Sequence, residues 1–197
     1  MDKMTSVLWV AKQLFDRREV SGSTGNISFR DNDHIYISQS GSCFGLLDAD
    51  SFAVLSLDGE IIKGKPSKEW PMHLKLYQSN DDFQAVIHTH SFYSTTFSCV
   101  ENLEVKVSDL FAYTPYLKMQ TKGKIHLVDY ASPGSSQLFA AFENSVCADT
   151  NAYILKNHGV IIGGEDVLKA FYLLEELEQT CRLYFFMHEE RYATIKE

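Results

Sequence analysis

The chain has 197 residues, 45% of them hydrophobic and 22% charged, with a formal net charge of −8. That balance suits one compact soluble domain over residues 1–197, because single cores stop growing near ~250–300 residues. With no Lys/Arg-rich stripe it excludes a nucleic-acid reader, and no apolar run nears the ~18–20 residues that cross a bilayer.

Residues 4–15 carry Met4, Val7, Leu8, Ala11, Leu14 and Phe15 at three- and four-residue steps, one apolar helix face. Lys3, Lys12 and Asp16-Arg17-Arg18 interrupt this stretch, so it has no secretory h-region and a cytoplasmic location is expected. The turn-rich SGSTGN at 21–26 leads into two short strands, Ile27–Arg30 and His34–Ser38, joined at Asp31-Asn32-Asp33. A second hairpin, Ala53–Leu57 with Glu60–Lys63, turns at Asp58-Gly59. Pro66 and Ser67 introduce a helix from about Glu69 to Gln78, with Ser67 as its cap. Phe83–His90 reads as a buried strand, and further strands are expected near Val105–Val107, Ile125–Val128, Ala152–Leu155 and Val160–Ile162. Helices are expected at 135–146 and 165–188. Tight turns between neighbouring strands favour a mixed or antiparallel sheet with helices on its faces. Cys43, Cys99, Cys147 and Cys181 form no C-x-x-C pair and read as reduced, mostly buried thiols.

The chemistry gathers in a few short segments. His88-Thr89-His90 ends the buried strand, and residues i and i+2 of a strand face one side, about 6.5–7 Å apart at Cα. Two imidazoles so placed can converge on one ion, and His158, in the turn Asn157-His158-Gly159, offers a third. Three neutral nitrogens with an open position define a catalytic rather than a structural site. Taken alone H-x-H is weak, and Glu69 with His73, at i, i+4 on a helix, offers a rival chelate. Three turns suit an anion: Gly25-Asn26, Ser40-Gly41 and Ser67-Lys68, the last at a helix start. Each by itself is also an ordinary turn.

The order Gly25-Asn26-Ile27-Ser28, Ser40-Gly41, Pro66-Ser67-Lys68-Glu69, His88-Thr89-His90-Ser91 and Asn157-His158-Gly159 resembles the class II aldolase/adducin family, from about residue 20 to 186. The resemblance implies a three-layer α/β/α sandwich around a mixed, mostly antiparallel central sheet. It implies one divalent metal per subunit on His88, His90 and His158, with Glu69 as acid/base able to approach the metal. Zinc suits three imidazoles, and manganese or cobalt is also accepted. Gly25, Asn26, Ser40, Gly41 and Ser67 match the family's phosphate pocket. A homotetramer with active sites between subunits is implied, and Tyr116, with Tyr113 as its rival, matches a tyrosine lent by a neighbouring subunit.

One departure narrows the reaction. The sugar-phosphate aldolases usually read P-S-S-E, where this chain has Pro66-Ser67-Lys68-Glu69. With Gly41-Ser42-Cys43-Phe44-Gly45, Thr114-Pro115-Tyr116 and Glu175-Glu176-Leu177-Glu178, this is similar to the 3-oxo-tetronate 4-phosphate decarboxylase branch. That resemblance implies decarboxylation to dihydroxyacetone phosphate and CO2 through a metal-stabilised enediolate. Lys68, an ammonium at a helix start, is expected to meet a phosphate or a carboxylate, and contact with the substrate carboxylate is the sharper expectation. Aldol cleavage of a fuculose- or rhamnulose-phosphate is the alternative, and a non-catalytic adducin-like module the third reading.

Overall fold

The computed structural model describes residues 2–192. Helix α1 (Lys3–Asp16) starts at Asp2, whose carboxylate accepts from the Thr5 amide at 2.9 Å, and buries Val7, Val10, Ala11 and Leu14. Strands β1 (Asn26–Asp31) and β2 (His34–Ser38) form the first hairpin, with Asn32 in the left-handed region at φ 53°. Strands β3 (Phe52–Ser56) and β4 (Ile61–Lys63) form the second. Helix α2 (Trp70–Ser79) has Pro71 in its first turn and leads to β5 (Ala85–Thr89), which is buried throughout. Three short helices follow: α3 (Phe92–Ser98), α4 (Leu103–Lys106) and α5 (Pro115–Gln120). The chain continues with β6 (His126–Val128), α6 (Ser136–Ser145), β7 (Ala152–Leu155), β8 (Gly159–Gly164) and α7 (Val167–Tyr192).

The eight strands form one sheet in the order β4-β3-β2-β1-β5-β8-β7-β6. Every pairing is antiparallel except β6 with β7. Side-chain alternation divides the core into two layers. Ile27, Phe29, Ala85, Ile87, Ile154 and Ile162 face α1 and α7. Ile37, Val86, Tyr153 and Ile161 face Met72 and Leu76 of α2 and Leu138 and Phe142 of α6. This is the expected α/β/α sandwich with a mostly antiparallel sheet. Strand β5 lies between β1 and β8, so its C-terminal end opens at the middle of the sheet. Among the described residues no helix is long and apolar enough to cross a membrane.

Some local expectations are overturned. The strand at Val105–Val107 is instead α4 running into a 3₁₀ segment at Val107–Ala112. Val105 is 70% exposed, while Leu103 and Leu110 are buried in the core beneath α7, so packing at helical spacing overrides β-branched propensity. Helix α3 was not foreseen, because its sequence FYSTTFS has no strong helix former. It is held from outside: Glu178 of α7 accepts from the amides of Tyr93 at 2.7 Å and Ser94 at 2.8 Å. Residue Glu69, not Ser67, occupies the cap position of α2. Of the four thiols only Cys181 is fully buried, and Cys99 is exposed.

Candidate metal centre and ligand pocket

The end of β5 places His88 on the α2 side of the sheet and His90 two residues further on. The register fixes the neighbours: Asn26 of β1 lies opposite His88, and Thr89 lies opposite Val160 of β8. His158 enters from the turn between β7 and β8. Two glycines allow this crowding. A Cβ on Gly25, whose φ is +76°, would stand 2.8 Å from the His88 carbonyl oxygen. A Cβ on Gly159 would overlap the Thr89 carbonyl.

The three imidazoles meet edge to face, with ring centroids 4.9–5.0 Å apart. Nε2 of His88 lies 3.0 Å from Nε2 of His90 and 3.2 Å from Oε2 of Glu69. Nε2 of His158 lies 3.3 Å from Oε1 of Glu69. Two ligands each ~2.0–2.1 Å from one tetrahedral ion stand about 3.3 Å apart, so these separations match a shared cation. Nδ1 of His158 is buried without a hydrogen-bond partner, and its Nε2 has only the Glu69 carboxylate beside it. His88 donates from Nδ1 to the Val160 carbonyl at 2.8 Å, which leaves the Nε2 lone pair facing the cluster. The donor set, the spacing and the orphaned imidazole therefore fit a divalent metal.

Electrostatics couple the carboxylate and the imidazoles. Burial pushes the Glu69 carboxyl up, but the His88 imidazole, assisted by His158, outweighs it and holds the group well below the usual carboxylate range. Burial pulls His88 down, yet Glu69 more than offsets this and its net shift is upward. His90 falls to about 4, through burial first and then its two histidine neighbours.

The three turns expected to suit an anion lie at neighbouring strand ends. Asn26 is buried and donates from Nδ2 to Glu69 Oε2 at 3.0 Å. The Ser40 amide bonds the Lys65 carbonyl, Gln39 bridges to Pro66, and the Ser67 amide bonds the Ser38 carbonyl. Ser40-Gly41 and Ser67 therefore stand side by side at the end of β2. A Cβ built on Gly41 would meet nothing within 4 Å, so its backbone borders open space. Lys68 is exposed, and its stem runs against Gly134, whose ideal Cβ would lie 3.5 Å from Lys68 Cβ. Among the described residues no acidic group pairs with it.

Two expectations fare differently. His73 does not chelate with Glu69: it points to Asn26 and Ser28 and is wholly buried. Tyr116 lies on α5, in the opposite helical layer, and is 60% exposed, so one chain does not bring it to the histidines. Sequence reading missed Ser28 and Tyr77. A signal existed, since Glu69, His73 and Tyr77 recur every four residues on one face of α2.

The fold and this site define a class II aldolase architecture, and comparison with known proteins agrees. The chain belongs to the family described as the class II aldolase and adducin N-terminal domain, whose model matches residues 5–185. It is 42% identical over 175 residues to an L-fuculose phosphate aldolase of Methanococcus maripaludis, covering 89% of this chain and 92% of that one. It is 38% identical over 192 residues to a 3-oxo-tetronate 4-phosphate decarboxylase of Escherichia coli, covering 95% of this chain and 89% of that one. Its structure resembles that of YgbL from Klebsiella pneumoniae, described only as an aldolase, epimerase or decarboxylase. The TM-score is 0.85 at 32% identity, over 94% of this chain and 89% of that one. Both activities named for the sequence relatives are carbon–carbon lyase reactions.

Proposed function

We propose that residues 1–197 form one metal-dependent lyase unit that decarboxylates a phosphorylated 3-keto sugar acid, 3-oxo-tetronate 4-phosphate, to dihydroxyacetone phosphate and CO2. The observation that carries this reading is Lys68. It stands between Ser67 of the anion pocket and Glu69 of the metal cluster, exposed and without an acidic partner among the described residues. An ammonium just before a helix N-terminus opposes the helix dipole unless an anion joins it, and a substrate carboxylate supplies one.

In this reading His88, His90 and His158 hold the ion, zinc by preference and manganese or cobalt by ligand type, with Glu69 beside it. A bound ion supplies a Lewis acid for the substrate ketone. Gly25, Asn26, Ser40, Gly41 and Ser67 seat the phosphate through backbone and side-chain donors. Glu69, held as a carboxylate by Asn26, His88 and His158, takes up a proton from solvent and delivers it to the carbon that loses CO2. Tyr116 serves a neighbouring copy's site in a homotetramer, a role supported by its exposure together with that of Met119, 72%, on the same helix.

The second reading is aldol cleavage of a fuculose-type phosphate, favoured by the 42% identity to the Methanococcus maripaludis aldolase. A coupled assay on metal-loaded protein decides between them. It offers 3-oxo-tetronate 4-phosphate and, separately, fuculose 1-phosphate, and follows dihydroxyacetone phosphate and CO2. Release of CO2 is expected; cleavage of the sugar phosphate alone would replace decarboxylation with aldol cleavage.

A further inference from the structure

Behind the metal cluster a line of buried polar groups crosses from α2 to β1. Tyr77 OH and Ser28 Oγ are 2.7 Å apart, and Ser28 Oγ is 2.7 Å from Nδ1 of His73. Nε2 of His73 is 2.5 Å from Oδ1 of Asn26, whose Nδ2 reaches Glu69. His73, Ser28 and Tyr77 are 0–1% exposed, and Asn26 is 3% exposed. Groups so deeply buried must each find a partner, and here their chemistry leaves one arrangement.

The carboxylate of Glu69 can only accept, so the edge of Asn26 that faces it is the NH2 edge. Asn26 Oδ1 therefore faces His73 and needs a donor, which places the imidazole proton on Nε2. Burial pulls His73 down to about 3, so the ring is neutral and Nδ1 accepts from Ser28. Ser28 has then spent its single proton and accepts from Tyr77, whose phenol burial keeps protonated. Every donor points the same way, from Tyr77 toward Glu69.

We infer that His73 is a positioning residue: its Nε2–H locks the Asn26 amide with both N–H bonds turned to the site, one on Glu69 and one free for the ligand. A flipped amide would set oxygen against carboxylate and NH2 against N–H, two mismatches in a buried place. The hydrogen-bond order stands on the contact geometry together with the burial that keeps His73 neutral; the ligand's share rests on the phosphate reading above.

Two measurements test this. The first needs no variant: ¹⁵N-histidine NMR of the metal-loaded protein should show His73 as the neutral Nε2–H tautomer. An Nδ1–H tautomer or an imidazolium would overturn the inference. The second compares His73→Gln, which can keep a donor near the Nε2 position, with His73→Asn, which cannot reach it. With metal content equal to wild type in both, the Asn variant should bind dihydroxyacetone phosphate about ten-fold or more weakly, and the Gln variant within about three-fold of wild type. Equal weakening in both, no change in either, or loss of metal in proportion would overturn it. If wild type itself fails to bind dihydroxyacetone phosphate, the proposed function falls, and exchange of the Asn26 side-chain amide still decides. That exchange should be slow in wild type and His73→Gln and fast in His73→Asn; equal rates in all three would overturn the positioning role.

Discussion

Asn26 and Glu69, forty-three positions apart, share a buried 3.0 Å hydrogen bond from Nδ2 to Oε2. It ties the first residue of β1 to the residue preceding α2. Replacing Asn26 with Ala leaves Glu69 without that donor and His73 Nε2 without its acceptor. Each buried group left unsatisfied costs ~1–3 kcal/mol, and Glu69 keeps His88 and His158 as partial partners, so we expect a loss of about 2–4 kcal/mol. Urea unfolding of the metal-free protein measures it; a loss below about 0.5 kcal/mol would mean that water takes over both partners.

Removing a single imidazole should abolish the response to metal. His90→Ala and His158→Ala are each expected to fold, because neither side chain belongs to the apolar core. Wild type should gain melting temperature on addition of zinc, by mass action on the native state, and lose it on chelation. In the variants that gain should vanish. An undiminished gain would place the ion elsewhere.

Gly25→Ala should damage the centre from its backbone side. At φ +76° an alanine is strained, and its Cβ would press on the His88 carbonyl. A cost of about 2–3 kcal/mol is expected, together with weaker metal binding. Calorimetry of metal binding separates this from simple destabilisation, since stability lost at undiminished affinity would clear Gly25 of any influence on His88.

Lys68→Ser restores the pattern usual in the sugar-phosphate aldolases. If Lys68 holds the substrate carboxylate, decarboxylation should fall by about ten-fold or more while metal occupancy stays unchanged. Parallel loss of turnover and metal would assign Lys68 to the integrity of the centre instead.

Glu19 makes stability depend on pH in an unusual direction. Burial, and then the Glu178 carboxylate, raise its pKa from 4.5 to about 7. The folded protein thus keeps a proton that the unfolded chain releases. This contribution is complete below about pH 4.5 and is lost as pH rises through 7. Glu19→Gln should therefore match wild type near pH 4 and exceed it by about 1 kcal/mol at pH 8, a figure reduced for partial exposure. Denaturation at the two pH values checks the sign.

The sequence exposed those parts of the site whose logic is local. His88 and His90 were legible because strand alternation alone puts both on one face. His158 was legible because Asn-His-Gly marks a tight turn. Ser28 and Tyr77 were not, since their roles depend on which strand α2 covers and in what register. The i, i+4 pair of Glu69 and His73 suggested a chelate, but a shared helix face does not say which side chain reaches the cluster and which turns toward β1. Val105 misled through its branched side chain, as the neighbours that decide its conformation, Leu103 and Leu110, answer to α7. The α3 helix depends on Glu178, eighty-four residues beyond Ser94.

The register of β5 between β1 and β8 has a kinetic side. Asn26 meets His88, and Thr89 meets Val160, only after segments more than sixty residues apart have paired. Such contacts form late, because loop closure precedes any return from them. A cation that requires all three imidazoles finds no complete site until the sheet's centre is shut. Metal should accordingly slow unfolding while leaving the rate of folding nearly untouched, acting as a latch on the finished sheet rather than a template for it.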